Sequence, residues 1–297
     1  MRNFIRSITP SFLLKAYRSG KKRTVRKAMD EQVKNGVFAT LDSLKNDLKA
    51  CGIQSGDAVL VHASLSKLGY VDGGPKTVVD ALMQVLGEDG HILMPSSPNA
   101  GLQLEYIQQT QVFDVAESPS KMGALSEYFR KLPNVKRSES PTEPVCAWGK
   151  KAEWIVSGHA HQLTPYTAQS PFARLVELKG KILYIGVTLD NAGTSLHLLE
   201  DAVQDFPAEV YYPDLFQIRV KPVSGEEYQA EVKVHHPKQS ALRKCDELLP
   251  LFVEKKAAFQ SKIALADTWV FDAEKMVNTM LEAYYEHGIT MYSPVKK

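Results

Sequence analysis

The chain is 297 residues long and short of the features that mark several large protein classes. It has three cysteines, Cys51, Cys146 and Cys245, far apart and outside any CxxC pair. A disulfide framework and a cysteine-based metal knuckle therefore have no support, and reduced thiols in a cytoplasmic protein are expected. No apolar run approaches the roughly 20 residues that span a bilayer, and no segment has the layout of a cleaved leader. No serine sits in a GxSxG elbow, so a serine hydrolase lacks its nucleophile. Walker and GxGxxG loops are missing too. The composition is otherwise that of a globular protein, 44% hydrophobic and 24% charged.

Net charge is only +2, but it is unevenly spread. Residues 1–35 carry ten Lys/Arg against Asp30 and Glu31, so the remainder is about −6. This leader also holds Phe4, Ile5, Ile8, Phe12, Leu13 and Tyr17. Two readings stand: an arm packed on the body or on a second copy in a homo-oligomer, or weak contact with an anionic membrane surface. Nucleic acid is not an expected partner, because the charge stops where the folded part begins.

We divide the chain into a basic arm, 1–36, and one α/β domain, 37–297. "ATLDSLKNDLKACG" has helical spacing and Thr40 as a cap. "DAVLVHASL" reads as a buried strand, "PKTVVDALMQVLG" as a helix framed by Pro75 and Gly87, and "HILMPSSP" as a strand. That order predicts a central, mostly parallel sheet flanked by helices. Further helices are predicted in "GALSEYFRKLP", "KAEWIVSGHAHQL" and "SPFARLVELKG", and near 241–255 and 273–285; "KILYIGV" is a strand. "DLFQIRVKPVSGEEYQAEVKVHH" alternates as an antiparallel hairpin turning at Ser224-Gly225.

Three stretches carry chemistry. In "VHASLSKLGYVDGGPKTVVDAL", Ser64 and Ser66 offer hydroxyls, Gly69, Gly73 and Gly74 allow close approach, and Thr77 opens a helix whose free N–H groups favour an anion. A purely structural strand-turn-helix is the other reading, and His62 within it is a core histidine or a ligand contact. In "LDNAGTSLHLLE", Asp190, Asn191 and Gly193 form a polar loop, and Thr194 or Ser195 caps a helix. His197 falls in its first turn with Glu200 three residues on, the pattern of a general base and its orienting carboxylate; a histidine packed on the sheet is the alternative. "RSESPTEP" sets Arg137, Glu139 and Glu143 on a loop that grips a substrate or is simply solvated. No metal is expected, since neither His159/His161 nor His235/His236 has a carboxylate or cysteine to complete a ligand set.

Together these blocks resemble one family, the acetyl-coenzyme A-dependent aminoglycoside 3-N-acetyltransferases, over about residues 40–240. The resemblance rests on "VHASLSKLGYVDGGPKTVVDAL", "GHILMPS", "FDVAESPSKMGALSEYFRKLPNVKRSESPTEPVCAWG", "SPFARLVELKGKILYIGV" and "TSLHLLE". It implies that family's fold and acetyl-CoA as cosubstrate, bound by Ser64, Leu65, Ser66, Gly69, Tyr70, Gly73, Gly74 and Thr77. It makes His197 with Glu200 the catalytic pair, accepting a proton as an amine attacks the thioester. Acceptor contacts are expected from Asp114, Arg137, Glu143, Asp190 and Asn191.

The chain departs from the family where the latter reads RSxHPTHS. Ser140 replaces one histidine, Glu143 the other and Pro144 the serine. Glu143 is thus a candidate for acid/base work or for acceptor choice. The basic arm and only mildly acidic body suggest an anionic amino sugar, a UDP- or dTDP-linked one for bacterial surface polysaccharide such as O-antigen. The alternative is an aminoglycoside antibiotic. A degenerate member that binds without turnover is a third reading, against which the intact "TSLHLLE" stands.

Overall fold

Residues 58–63, Ala-Val-Leu-Val-His-Ala, put apolar side chains on both faces, so such a strand must be covered on both sides. In the computed structural model, which describes residues 11–293, they form β1 (Ala58–Ala63), the middle of a seven-stranded sheet. There follow β2 (His91–Pro95), β3 (Val112–Asp114), β4 (Lys136–Arg137), β5 (Val145–Trp148) and β6 (Lys181–Ile185). The remaining strands are β7 (Phe216–Lys221), β8 (Tyr228–Val232), β9 (Ala258–Ile263) and β10 (Ala266–Asp272). The large sheet has the order β4-β5-β2-β1-β6-β10-β9, and β3-β7-β8 form a small second sheet.

The α/β architecture and the β7–β8 hairpin match expectation, but parallel pairing in the large sheet is confined to β2-β1-β6. Strands β5 and β4 on one side and β10 and β9 on the other run antiparallel. The β9–β10 hairpin escaped the sequence reading because β9 buries only its two ends, which breaks the period of two.

Alternate residues of the central strands face two cores. Val59, Val61, Leu183 and Ile185 meet the Leu41–Ala50, Pro75–Leu86 and Ala124–Phe129 helices. Leu60, Ile182, Tyr184 and Phe271 meet the Pro171–Glu177 and Ala273–His287 helices on the other face. Thr40 caps its helix as expected, in a reciprocal box with Ser43. Cys51, Cys146 and Cys245 are free and buried. No described helix is long and apolar enough to cross a membrane.

Two expected helices come out differently, and the arm adds one that was not expected. The one expected through Leu163 stops at Ser157, and just beyond it His159 is pinned on both ring nitrogens. Its Nε2 lies 2.9 Å from the Pro165 carbonyl oxygen and its Nδ1 2.8 Å from Ser138 Oγ. A carbonyl only accepts, so Nε2 carries the proton and the ring is neutral. The helix expected over 241–255 breaks at Arg243, whose backbone is extended, into Pro237–Leu242, a 3-10 turn and Leu249–Glu254. In the arm, Ser11–Lys34 is helical, and the Gln32 side chain accepts the Tyr70 backbone N–H at 2.8 Å. Phe4, Ile5 and Ile8 lie outside the described residues.

Burial holds His62 down to about 3 and His159 to about 4. The unfolded chain binds protons near pH 6.5 that these rings refuse, so the stability they contribute is full above that pH and is lost as pH falls. At pH 5 the loss should be about 2 kcal/mol per imidazole. Urea unfolding at pH 7.5 and pH 5 should show it, with a shallower pH dependence in His159→Gln.

Candidate active site

The crevice lies beyond the carboxyl ends of β1 and β6, neighbours in the sheet although β2 intervenes in sequence. Ligands in open α/β sheets bind at such a switch of connection. His62, near the end of β1, stacks on its cross-strand partner Tyr184 with ring centroids 5.0 Å apart. Its Nε2 lies 3.3 Å from Thr194 Oγ1. After β6 the chain makes a Leu189–Ala192 turn, a Thr194–His197 3-10 turn and the Leu198–Ala202 helix. His197 is thus the residue before that helix, and neither Thr194 nor Ser195 caps it.

His197 and Glu200 are each 5% exposed. Nδ1 of His197 lies 2.9 Å from Glu200 Oε1, with the oxygen off the line of the ring N–H, so the attraction is chiefly electrostatic. The other carboxylate oxygen lies 3.1 Å from His235 Nε2, and the Tyr292 hydroxyl donates to Oε1 at 2.6 Å. Burial pushes the His197 ring down to about 3, and the adjacent imidazoles hold Glu200 ionised. With Nδ1 turned to the carboxylate, Nε2 is the ring nitrogen left free of that pairing.

That cavity, of about 260 Å³, is lined by His197, Tyr166, Glu143, Asp190, Asn191 and Arg243 among others. Gln103 Nε2 donates to Glu143 Oε1 at 2.7 Å, and burial pushes this carboxyl up to about 7 against the pull of Gln103 and Arg243. Arg243 brings a guanidinium whose Nε and Nη2 are buried with no acceptor in line. A second chamber of about 130 Å³ shares Met122, Asn191, Ala192 and Thr194 with the first and reaches His62 and Ala63 beside Ser64.

The expected residues do not all converge. Ser64 and Ser66 stand 3.3 Å apart, oxygen to oxygen, just after Ala63 in the chain but outside the lining of the second chamber, with Leu65 opening the turn between them. Gly69 and Tyr70 instead face the arm: a Cβ on Gly69 would fall 2.8 Å from Leu265 and 3.0 Å from Gln32. Its φ of 82° excludes most side chains there as well. Gly73 and Gly74 turn the chain into the Pro75–Leu86 helix, and the Thr77 hydroxyl is spent on the Asp72 carbonyl. Asp190 exchanges backbone contacts with Asp246, and Asn191 bonds Thr188.

Two expected acceptor contacts are structural. Asp114 pairs with Lys221 at 2.9 Å and accepts the N–H groups of Ala116 and Glu117. Arg137 donates to Ser96 Oγ and to the carbonyls of Ser96, Val115 and Ser118, over the Phe113 ring. It borders a separate hollow of about 530 Å³, which His197 does not line. Gln103, His235, Arg243 and Tyr292 were missed. In the sequence His235 reads as half of a His-His doublet, and no local spacing ties it to Glu200.

His197, Glu200 and His235 are also the one His/carboxylate group among the described residues whose composition suits a cation. Their donor atoms all lie within 4.8 Å of one another, and Glu200 is the carboxylate beside His235 that the sequence does not announce.

Replacing Arg137 by Ala should cost about 3 kcal/mol or more of unfolding free energy, since its charged hydrogen bonds clasp the 115–118 loop to β2. Urea titration measures this, and a selective rise in acceptor KM without it would contradict the assignment.

The family model described as aminoglycoside 3-N-acetyltransferase matches residues 60–284. Aminoglycoside N(3)-acetyltransferase III of Pseudomonas aeruginosa is 34% identical over 170 residues, 53% of this chain and 62% of that protein. The chain thus spans less than two thirds of such curated relatives. The solved structure of AAC-IIIb with CoASH superposes with TM-score 0.70 at 28% identity, covering 82% of this chain and 97% of that one. A mutant AAC(3)-IVa in complex with a gentamicin gives TM-score 0.71 at 26% identity, covering 86% and 91%. These findings overturn the expectation of a nucleotide-linked amino sugar for surface polysaccharide, because the relatives are named for aminoglycosides and one holds gentamicin. A weak net charge was too indirect a guide to a pocket. With three quarters of its length matched and the fold shared, the chain belongs to the aminoglycoside 3-N-acetyltransferase family.

Proposed function

We propose that the protein transfers an acetyl group from acetyl-CoA to an amine of an aminoglycoside. The observation that carries this is a neutral His197, its Nδ1 2.9 Å from a buried carboxylate, inside a cavity that opens to a second chamber. Two connected chambers suit two reactants held side by side, which supplies much of the rate through proximity. The thioester would enter along the Ser64–Ser66 turn and the acceptor from the Glu143 side, with residues 37–297 as the working unit. The bound CoASH of AAC-IIIb supports the donor class. Free, buried cysteines fit a cytoplasmic setting.

His197 Nε2 takes the amine's proton as the new C–N bond forms and returns it to the sulfur as the C–S bond breaks. The products are the N-acetylated amine and the free thiol, and the base is regenerated. Glu200 stays ionised and stabilises the imidazolium in between. Glu143 replaces a family histidine and sits where an ammonium group would be drawn in. Its carboxyl titrates near neutrality, so its pull on the acceptor strengthens as pH rises through 7.

Thiol release from acetyl-CoA with kanamycin or gentamicin as acceptor tests the reading. His197→Ala should lower kcat by about a thousand-fold with donor affinity retained. With the acceptor saturating, the acid limb of kcat should fall below the free imidazole value of about 6.5, because burial disfavours the protonated ring. No thiol release with any aminoglycoside would refute the proposal.

A further inference from the structure

Glu200 receives more than a general-base pair requires. One carboxylate oxygen faces His197 Nδ1 at 2.9 Å and also accepts the Tyr292 hydroxyl at 2.6 Å; the other faces His235 Nε2 at 3.1 Å. We propose that Tyr292 and His235 are positioning residues which hold the Glu200 carboxylate aligned on His197, so that the base is a unit of four side chains. This rests on the acetyl-transfer reading above.

Both residues are built into place. Gly288 ends the Ala273–His287 helix in a left-handed turn, φ 64°, which sends the chain back toward the crevice. Lys244 N–H then donates to the Met291 carbonyl at 2.8 Å, and Tyr292 N–H to Thr290 Oγ1 at 3.1 Å. Phe206 meets the Tyr292 ring edge-on at 6.1 Å. The His235 ring lies flat against Tyr211, centroids 5.3 Å apart, and its backbone N–H donates to Gln103 Oε1 at 2.9 Å. Gln103 is the residue that holds Glu143, so one amide fixes both sides of the cavity. Tyr292 lies beyond residue 284, where the family match ends.

The chemical consequence concerns where the proton rests. A carboxylate surrounded by donors is a weak base, so it remains an anion and leaves the proton on His197. Each lost donor leaves more of its charge for His197 and makes that ring more basic. The other groups facing Glu200 are Arg243, whose cation acts in the opposite sense, Asp201, Tyr166, Tyr211 and Cys245. Asp201 is itself engaged by the hydroxyls of Thr164 and Tyr211.

The test uses Tyr292→Phe, His235→Leu and His235→Gln in the full chain, with steady-state kinetics and an NMR titration of the His197 ring. Tyr292→Phe and His235→Leu should each lose about ten-fold in kcat, the value of one hydrogen bond to a charged group, with both KM values within about two-fold. The His197 titration should move up by about half a pH unit or more in each. His235→Gln, whose side-chain amide presents N–H near the position of Nε2, should recover most of what His235→Leu loses. Unchanged kcat and titration in Tyr292→Phe, or His235→Gln as impaired as His235→Leu, would overturn the proposal. So would loss of activity on dialysis against EDTA with recovery on adding zinc. A wild-type protein that acetylates no amine would instead refute the acetyl-transfer reading, and the NMR titration would still decide the positioning role.

Discussion

An ionised carboxylate removed from water is among the costliest groups a protein can hold, and Glu200 is 5% exposed. Its charge must be met by N–H and O–H groups from nearby chain. One imidazole comes from the same turn, at His197. The second comes from the tail of the β7–β8 hairpin, at His235, and the phenol from beyond the last helix, at Tyr292. Three parts of the chain that share no strand pairing are tied to one side chain. Breaking a buried pair by removing one partner is expensive because the other charge is left behind. The separate small sheet is therefore anchored to the His197 crevice rather than merely packed beside it.

The same economy explains the neighbouring cluster. Asp201 follows Glu200 in sequence and points to its own donors, Thr164 and Tyr211, so the two acids do not compete for them. Tyr211 then serves twice, since its ring supports His235 while its hydroxyl serves Asp201. Tyr166 lies against both histidines, with centroids 4.9 Å and 5.7 Å away, and walls the site with a low-dielectric face. Such surroundings keep the imidazoles neutral at rest and magnify the carboxylate's effect once a proton arrives.

What could be read from the sequence was what depends on near neighbours. Thr40, Pro75 and Gly87 marked helix ends because caps act within one turn. His197 and Glu200 were visible as a pair because three residues bring them to one face. Tyr292 was invisible for the opposite reason: 92 residues separate it from Glu200, and only tertiary structure joins them. Gly69 misled, because a left-handed glycine looks the same whether it admits a ligand or, as here, Gln32 and Leu265. Arg137 misled too, since a basic residue in a polar loop does not announce four backbone and hydroxyl partners. Parallel order was overestimated because β9, which pairs β10 into an antiparallel hairpin, has no clean alternation.

The arrangement of the large sheet has a kinetic side. Its two edges are pairs close in sequence, β9 with β10 across a two-residue turn and β4 with β5, whereas β1 meets β6 through pairs such as Val59 with Lys181. Closing so long a loop costs chain entropy before any contact rewards it. The crevice sits on that seam. During folding the hairpins can form early and independently, while the crevice waits for the pairing across the longest loop of the large sheet to close.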